Sequence, residues 1–100
     1  MKADLHNHSF YSDGVFSPTD VIKLASESKC DLFSLTDHDT TSGIAEAQLE
    51  ADKLNLNLIN GVEISAFWRN MAIHILGLGI DINNDILQTG LEHNQKLRKE

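Results

Sequence analysis

An α/β fold, with parallel strands joined by crossover helices, is predicted by three observations along the chain. Short apolar runs alternate with amphipathic helical stretches in the order β-α-β-α-β-β-α. The helical stretches carry recognisable start signals. Polar, ligand-like residues follow directly on the first two apolar runs, and in barrels and open α/β sheets that edge is where chemistry collects.

Ala3 to His6 reads as a short buried strand leading into polar residues. Ser17-Pro18-Thr19-Asp20 is a helix start: Ser17 can cap, Pro18 suits the first helical position, and Asp20 favours the positive end of the dipole. Val21, Ile22, Leu24 and Ala25 give that helix an apolar face to about Ser28. Asp31-Leu32-Phe33-Ser34-Leu35-Thr36 is a second strand, apolar enough to be covered on both faces. A second helix spans Gly43 to Leu54, with Ile44, Ala47, Ala51 and Leu54 on one stripe. Asn55 to Ile59 alternates into a third strand region, which Gly61 divides from Val62-Glu63-Ile64. Ala72 to Ile80 is a fourth strand, and Asn83 or Asn84 caps a last helix that begins near Asp85 and ends polar at Lys99-Glu100.

Composition bounds the function. The 100 residues are 41% hydrophobic and 23% charged, so the chain is globular and holds at most one domain. Its net charge of −7 argues against a general nucleic-acid-binding surface, although bound cations can reverse the local field for a phosphorylated substrate. Cys30 is alone, which excludes a disulfide framework and a Cys-based zinc site and leaves a small buried thiol at a strand start. No signal-peptide h-region and no membrane-spanning apolar run is present, so a cytoplasmic setting is expected.

The candidate chemistry lies in four segments. His6 and His8 stand two apart, so in an extended segment both imidazoles face one side and can reach one metal ion. Asp13, ahead of the turn-prone Gly14, makes a possible third ligand; polar loop histidines and a turn aspartate are the bland alternative. In Asp37-His38-Asp39 a histidine follows an apolar strand between two acids, either of which could accept the second imidazole N–H. Asp39 or Thr40 could instead cap the next helix. Glu63 and His74 each interrupt an apolar strand, where an unpaired charge would be costly. A shared site explains both intrusions together with the two upstream histidine clusters. His93, on the polar last helix, reads as surface, and Arg69 as an exposed loop residue. A His/Asp/Glu shell suits borderline divalent ions such as Zn²⁺, Mn²⁺ or Fe²⁺.

In this order the motifs resemble those of the polymerase-and-histidinol-phosphatase (PHP) family of metal-dependent phosphoesterases. The matching stretches are Asp4-Leu5-His6-Asn7-His8-Ser9 with Ser12-Asp13-Gly14, Leu35-Thr36-Asp37-His38-Asp39-Thr40, Gly61-Val62-Glu63-Ile64-Ser65 and Ile73-His74-Ile75-Leu76-Gly77. The resemblance implies a distorted seven-stranded β/α (TIM-like) barrel and up to three divalent ions, Mn, Zn, Fe or Mg. It makes His6 and His8 ligands of one ion, Glu63 a bridge to a second held by His74, and Asp13 with His38 ligands of a third. Asp37 and Asp39 stand behind them as supports. It implies hydrolysis of phosphomonoesters or nucleotide-type phosphodiesters, among them nucleoside bisphosphates or short RNA 5′ ends, by metal-activated water. The partner is a small phosphorylated substrate; neither a membrane nor stable nucleic-acid binding is expected.

The chain departs from the family after His74. Members supply further ligands from a C-terminal half, typically a histidine and an Asp-x-His pair, and no Asp-x-His occurs after His74. Residues 1–100 are therefore expected to be a partial PHP domain, the N-terminal portion of the barrel. The alternative is a catalytically incomplete metal-binding or interaction fragment that needs a further segment or chain.

Overall fold

A computed structural model describes residues 2–98. Seven elements follow in the expected order: β1 Ala3–Asp4, α1 Pro18–Glu27, β2 Leu32–Leu35, α2 Ile44–Leu54, β3 Asn57–Trp68, β4 Met71–Leu78 and α3 Asp85–Arg98. The polar end expected for the last helix at Lys99-Glu100 lies outside the described residues.

Local chemistry explains the helix boundaries. Ser17 caps α1 by accepting the Asp20 N–H at 3.1 Å, with Pro18 in the first turn. α2 starts differently from expectation: Gly43 is its N-cap without a side-chain bond, and Thr40 Oγ1 instead accepts the Ser42 N–H. Its end is set by Asn55, whose left-handed φ of 55° suits a short polar side chain. Of the two candidate caps for α3, Asn84 serves, accepting the Leu87 N–H at 2.9 Å.

The four strands form one sheet in the order β1-β2-β3-β4. β1, β2 and β3 run parallel, as α1 and α2 cross over between them. β4 corrects the parallel expectation, because it runs antiparallel to β3. Arg69 and Asn70 join the two strands and both take left-handed φ (51° and 63°), the backbone a tight two-residue hairpin uses. A second correction concerns Gly61, which does not end a strand. β3 runs through it for 12 residues, pairing with β2 through Asn60 and with β4 from Gly61 onward. A Cβ at Gly61 would stand 2.3 Å from Ser34 Oγ and 2.8 Å from Thr36 Cγ2, so only glycine lets β3 pass this close to the end of β2.

The main core lies between the two helices and one face of the sheet. Val21, Ile22 and Ala25 of α1 meet Phe33 and Leu35 of β2, Ala47 and Ala51 of α2, and Leu56. Phe33 and Leu35 share that face because they are two apart on a strand. Leu24 and Leu54, expected on the apolar stripes, are partly exposed (46% and 38%). Cys30 is half-buried at the core margin, its thiol 3.0 Å from the Leu32 carbonyl. Outside this core, β4 leaves Met71, Ile75, Leu76 and Leu78 exposed, and α3 buries Leu91 while leaving Ile86 and Leu97 exposed. Among the described residues no helix is long and apolar enough to cross a membrane.

Candidate metal centre

The sheet delivers the candidate ligands from four chain segments to one place. Beyond β1 the backbone stays extended beside the end of β2: the Thr36 N–H donates to the Asn7 carbonyl at 2.7 Å, and the Asn7 N–H donates to Thr36 Oγ1 at 3.1 Å. Asn7 turns its amide toward Asp4 and the Ser34 carbonyl, leaving His6 and His8 to converge on Glu63. Two residues downstream of β2, Asp37 and Asp39 continue the pairing with β3. The Glu63 N–H donates to the Asp37 carbonyl at 3.0 Å, and the Asp39 N–H donates to the Glu63 carbonyl at 2.9 Å. His38 is thereby set beside Glu63, and His74 reaches the same carboxylate from β4, where it pairs with Ser65.

Glu63 is the collecting point and is 5% exposed. Its Oε1 lies 2.7 Å from His6 Nε2 and 3.0 Å from His8 Nε2. Its Oε2 lies 3.1 Å from His74 Nδ1 and 3.7 Å from His38 Nδ1. Asp13 forms a second centre, with Oδ1 3.0 Å from His8 Nδ1 and Oδ2 3.1 Å from His38 Nε2. The imidazoles stand side by side, 5.2 Å apart for His6 and His8, 4.5 Å for His8 and His38, and 5.3 Å for His38 and His74.

All six residues singled out from the sequence are thus brought together. They fall into three overlapping groups whose ligand atoms lie within 4.8 Å of one another: His6, His8 and Glu63; His8, Asp13 and His38; His38, Glu63 and His74. Glu63, His8 and His38 each belong to two groups.

These residues fit divalent ions on two grounds. A neutral imidazole carries one N–H, yet His8 turns both ring nitrogens toward carboxylates. One lone pair therefore faces another unless a proton or a metal cation lies between. His38 repeats the pattern, and its Nδ1 is buried without a hydrogen-bond partner. Second, N and O atoms that share an ion at about 2.0–2.2 Å, at right angles, stand about 3 Å apart, which is the spacing found here.

Electrostatics act in the same direction. Burial pushes the Glu63 carboxyl up, but the His6 hydrogen bond and the charges of His38, His6 and His8 outweigh it and hold the group below its ordinary value. Desolvation likewise raises Asp13, and His8 and His38 more than reverse it.

Asp37 and Asp39 hold hydrogen-bond partners in the neighbouring segments. Asp37 accepts the Ser9 N–H and Ser9 Oγ–H, both at 2.6 Å, and the Ser12 hydroxyl at 2.8 Å. It anchors the loop that carries His8 and Asp13. Gly14 lets that loop fold back, since a Cβ there would meet the His8 carbonyl oxygen at 2.4 Å. Asp39 accepts the Ser65 N–H at 2.9 Å, two residues past Glu63. The supporting roles of Ser9, Ser12, Asn7 and Thr36 were not read from the sequence, because hydroxyls and amides in a polar loop carry no spacing signal. His93 and Arg69 are exposed, as expected of surface residues.

Known proteins resemble this chain in sequence and in fold. The chain is 44% identical over 97 residues to a 3′,5′-nucleoside bisphosphate phosphatase of Chromobacterium violaceum, a match covering 97% of this chain and 34% of the relative. It is 42% identical over 98 residues to a 5′-3′ exoribonuclease of Haemophilus influenzae, covering 98% of this chain and 36% of the relative. The chain thus spans about a third of the length of these curated relatives. Among solved structures, an amidohydrolase from Chromobacterium violaceum with bound sulfate and no metal superimposes with a TM-score of 0.95 at 43% identity, covering 98% of this chain and 34% of that one. A two-domain protein from Bacteroides vulgatus, containing a predicted PHP-like metal-dependent phosphoesterase, gives a TM-score of 0.74 at 25% identity, over 99% and 33% of the two chains. The PHP domain family matches residues 4–96, and with it the segments bearing all six converging side chains: the chain belongs to the PHP family.

Proposed function

We propose that this chain carries the N-terminal metal-binding part of a PHP phosphoesterase that hydrolyses phosphomonoesters or nucleotide-type phosphodiesters, with nucleoside bisphosphates and short RNA 5′ ends as the leading substrates. The observation that carries the reading is the convergence of four histidines on Glu63, two of them shared with Asp13, within a PHP domain. The relatives support the substrate class: one is named a nucleoside bisphosphate phosphatase, another an exoribonuclease, and a third, from Eggerthella lenta, a phosphoribosyl 1,2-cyclic phosphate 1,2-diphosphodiesterase at 37% identity over 81% of this chain and 32% of that relative.

In this reading His6, His8, Asp13, His38, Glu63 and His74 hold up to three divalent ions (Mn, Zn, Fe or Mg), and Glu63 serves two of them. Bound ions of this kind acidify water and offset the charge that develops on a phosphate ester. The protein's part is to fix the ligand set. Asp37 holds the His8–Asp13 loop through Ser9 and Ser12, and the backbone pairing of residues 37–39 with Glu63 sets the distance between the two carboxylate centres. The cytoplasmic setting and a seven-stranded barrel, of which residues 1–100 form the first portion, belong to the same proposal.

Reconstitution with Mn²⁺ or Zn²⁺, followed by phosphatase assays on a nucleoside 3′,5′-bisphosphate and an aryl phosphate, tests it. We expect bound ion at one or more per chain, weak or no turnover by residues 1–100, and turnover by a version extended to the relatives' length. An absence of bound ion after reconstitution would sink the site assignment. A second reading is a metal-binding fragment that needs another segment or chain to act. The exposed apolar side chains of β4 favour it, and strong activity from the 100 residues alone would refute it.

A further inference from the structure

α3 is docked to the rest of the chain mainly by carboxamides. Gln88, Leu91 and Gln95 lie on one helical stripe, with Asn94 beside them. Leu91 is 1% exposed. Around it, Gln88 Nε2 donates to Thr41 Oγ1 at 3.0 Å and to the Ile82 carbonyl at 2.6 Å. Asn94 Nδ2 donates to Asp39 Oδ1 at 3.0 Å and to the Ser65 carbonyl at 2.9 Å. Gln95 Nε2 donates to the Asp39 carbonyl at 2.7 Å.

Two of these five bonds, from Asn94 and Gln95, end on Asp39, the neighbour of His38. Asp39 is fully buried and holds a left-handed φ of 53°, uncommon for any residue with a Cβ though less costly for Asp and Asn than for most. It therefore persists only where surrounding contacts specify it. Its contacts include four such hydrogen bonds: its N–H donates to the Glu63 carbonyl, its carboxylate accepts from the Ser65 N–H and Asn94 Nδ2, and its carbonyl accepts from Gln95 Nε2. Two of the four come from α3. Asn94 also spans the gap between the His38 segment and β3, which carries Glu63.

We propose that Asn94 and Gln95 are positioning residues of the metal centre: they fix the backbone turn at Asp39 and so aim His38 at the two ligand groups it shares. The inference rests on the metal-centre reading above and adds that α3, which contributes no ligand, sets the geometry of one ligand. Partners that orient ligands in this manner are worth about 10- to 100-fold in metal affinity.

The test is a Zn²⁺ titration of the 100-residue chain followed by NMR of the histidine rings, comparing wild type, Asn94→Ala and Gln95→Ala. Ile86→Ala, on the exposed side of the same helix, is the control. In Asn94→Ala, the His38 ring signals are expected to need about 10- to 100-fold more Zn²⁺ to shift, while His6, in the group His6, His8 and Glu63, responds as in wild type. Gln95→Ala, which removes a single hydrogen bond, should show the same selectivity more weakly, and it carries the test if Asn94→Ala does not fold. Equal weakening of His6 and His38 would mean a general structural role and overturn the proposal, as would a wild-type response in both variants. Wild-type protein whose histidines ignore Zn²⁺ would overturn the metal-centre reading, and this inference with it.

Discussion

The segment from β1 through α2 and the segment from β4 through α3 are built on opposite terms. The first buries Ile22, Phe33, Leu35, Ala47 and Ala51 in a continuous apolar core. The second exposes most of its large apolar side chains and is tied down by Leu91 and a set of side-chain amides. The candidate ligands span both, with five before β4 and His74 on it. One half can thus hold its shape by packing, while the other depends on polar contacts whose net worth is about 0.5–1.5 kcal/mol each. The position of a ligand is most secure where its strand belongs to the packed half.

The largest test of that contrast is a cavity in the packed half. Ile22→Ala removes a fully buried side chain and should lower unfolding free energy by about 2–5 kcal/mol, read by urea denaturation. A loss below 1 kcal/mol would mean that the helices do not carry the stability of the chain.

Next in size is metal linkage. Zn²⁺ at 100 times its Kd should raise stability by about 2.7 kcal/mol, and EDTA should reverse the gain. Glu63→Ala, which strips a carboxylate from two of the three ligand groups, should abolish most of it. If the shift survives in that variant, the ion binds elsewhere.

Acid should act more weakly on the metal-free chain. Glu63 and Asp13 are held below their ordinary values, so their contribution is fully present above the unfolded carboxylate range and lost as pH falls below about 4. Asp13→Asn should flatten the acid limb of the stability profile, and an unchanged limb would remove Asp13 from the account. The smallest effect belongs to the loosely packed half. Ile86→Ala, at a side chain 85% exposed, should change stability by less than about 0.5 kcal/mol.

Much of this contrast could be read in the sequence, and the failures have physical causes. Ser17, Pro18 and the 3.6-residue spacing of Val21, Ile22 and Ala25 gave α1 its limits, because capping and amphipathicity are local. Glu63 and His74 were identifiable because charge and imidazole in apolar strands are costly without a shared partner, and that shared partner drew in His6, His8, Asp13 and His38. The direction of β4 was missed: Arg69-Asn70 is not a glycine-bearing turn signal, although both residues take left-handed φ. The single strand through Gly61 was also missed, since glycine signals a break as readily as a close approach. The partners of Asp37 were not read from the sequence, because its three donors lie 25–28 residues away in the chain. Asn94 and Gln95 carry no signal of their own in a polar helix, and only the tertiary fold reveals what they hold.

The hairpin that β3 forms with β4 from Gly61 onward has a consequence for the order of assembly. The antiparallel stretch of β3 and β4 closes through two residues, so its contacts are local and quick to form. Glu63 and His74 lie in that stretch, whereas His6 reaches Glu63 across 57 positions of chain. The carboxylate and its last histidine are therefore expected to be paired early, awaiting a slow loop closure that brings the other imidazoles. During that interval the nascent chain would present a two-ligand half-site to any available cation, and pulse-labelled hydrogen exchange, resolving protection of residues 61–78 before residues 4–8, would time it.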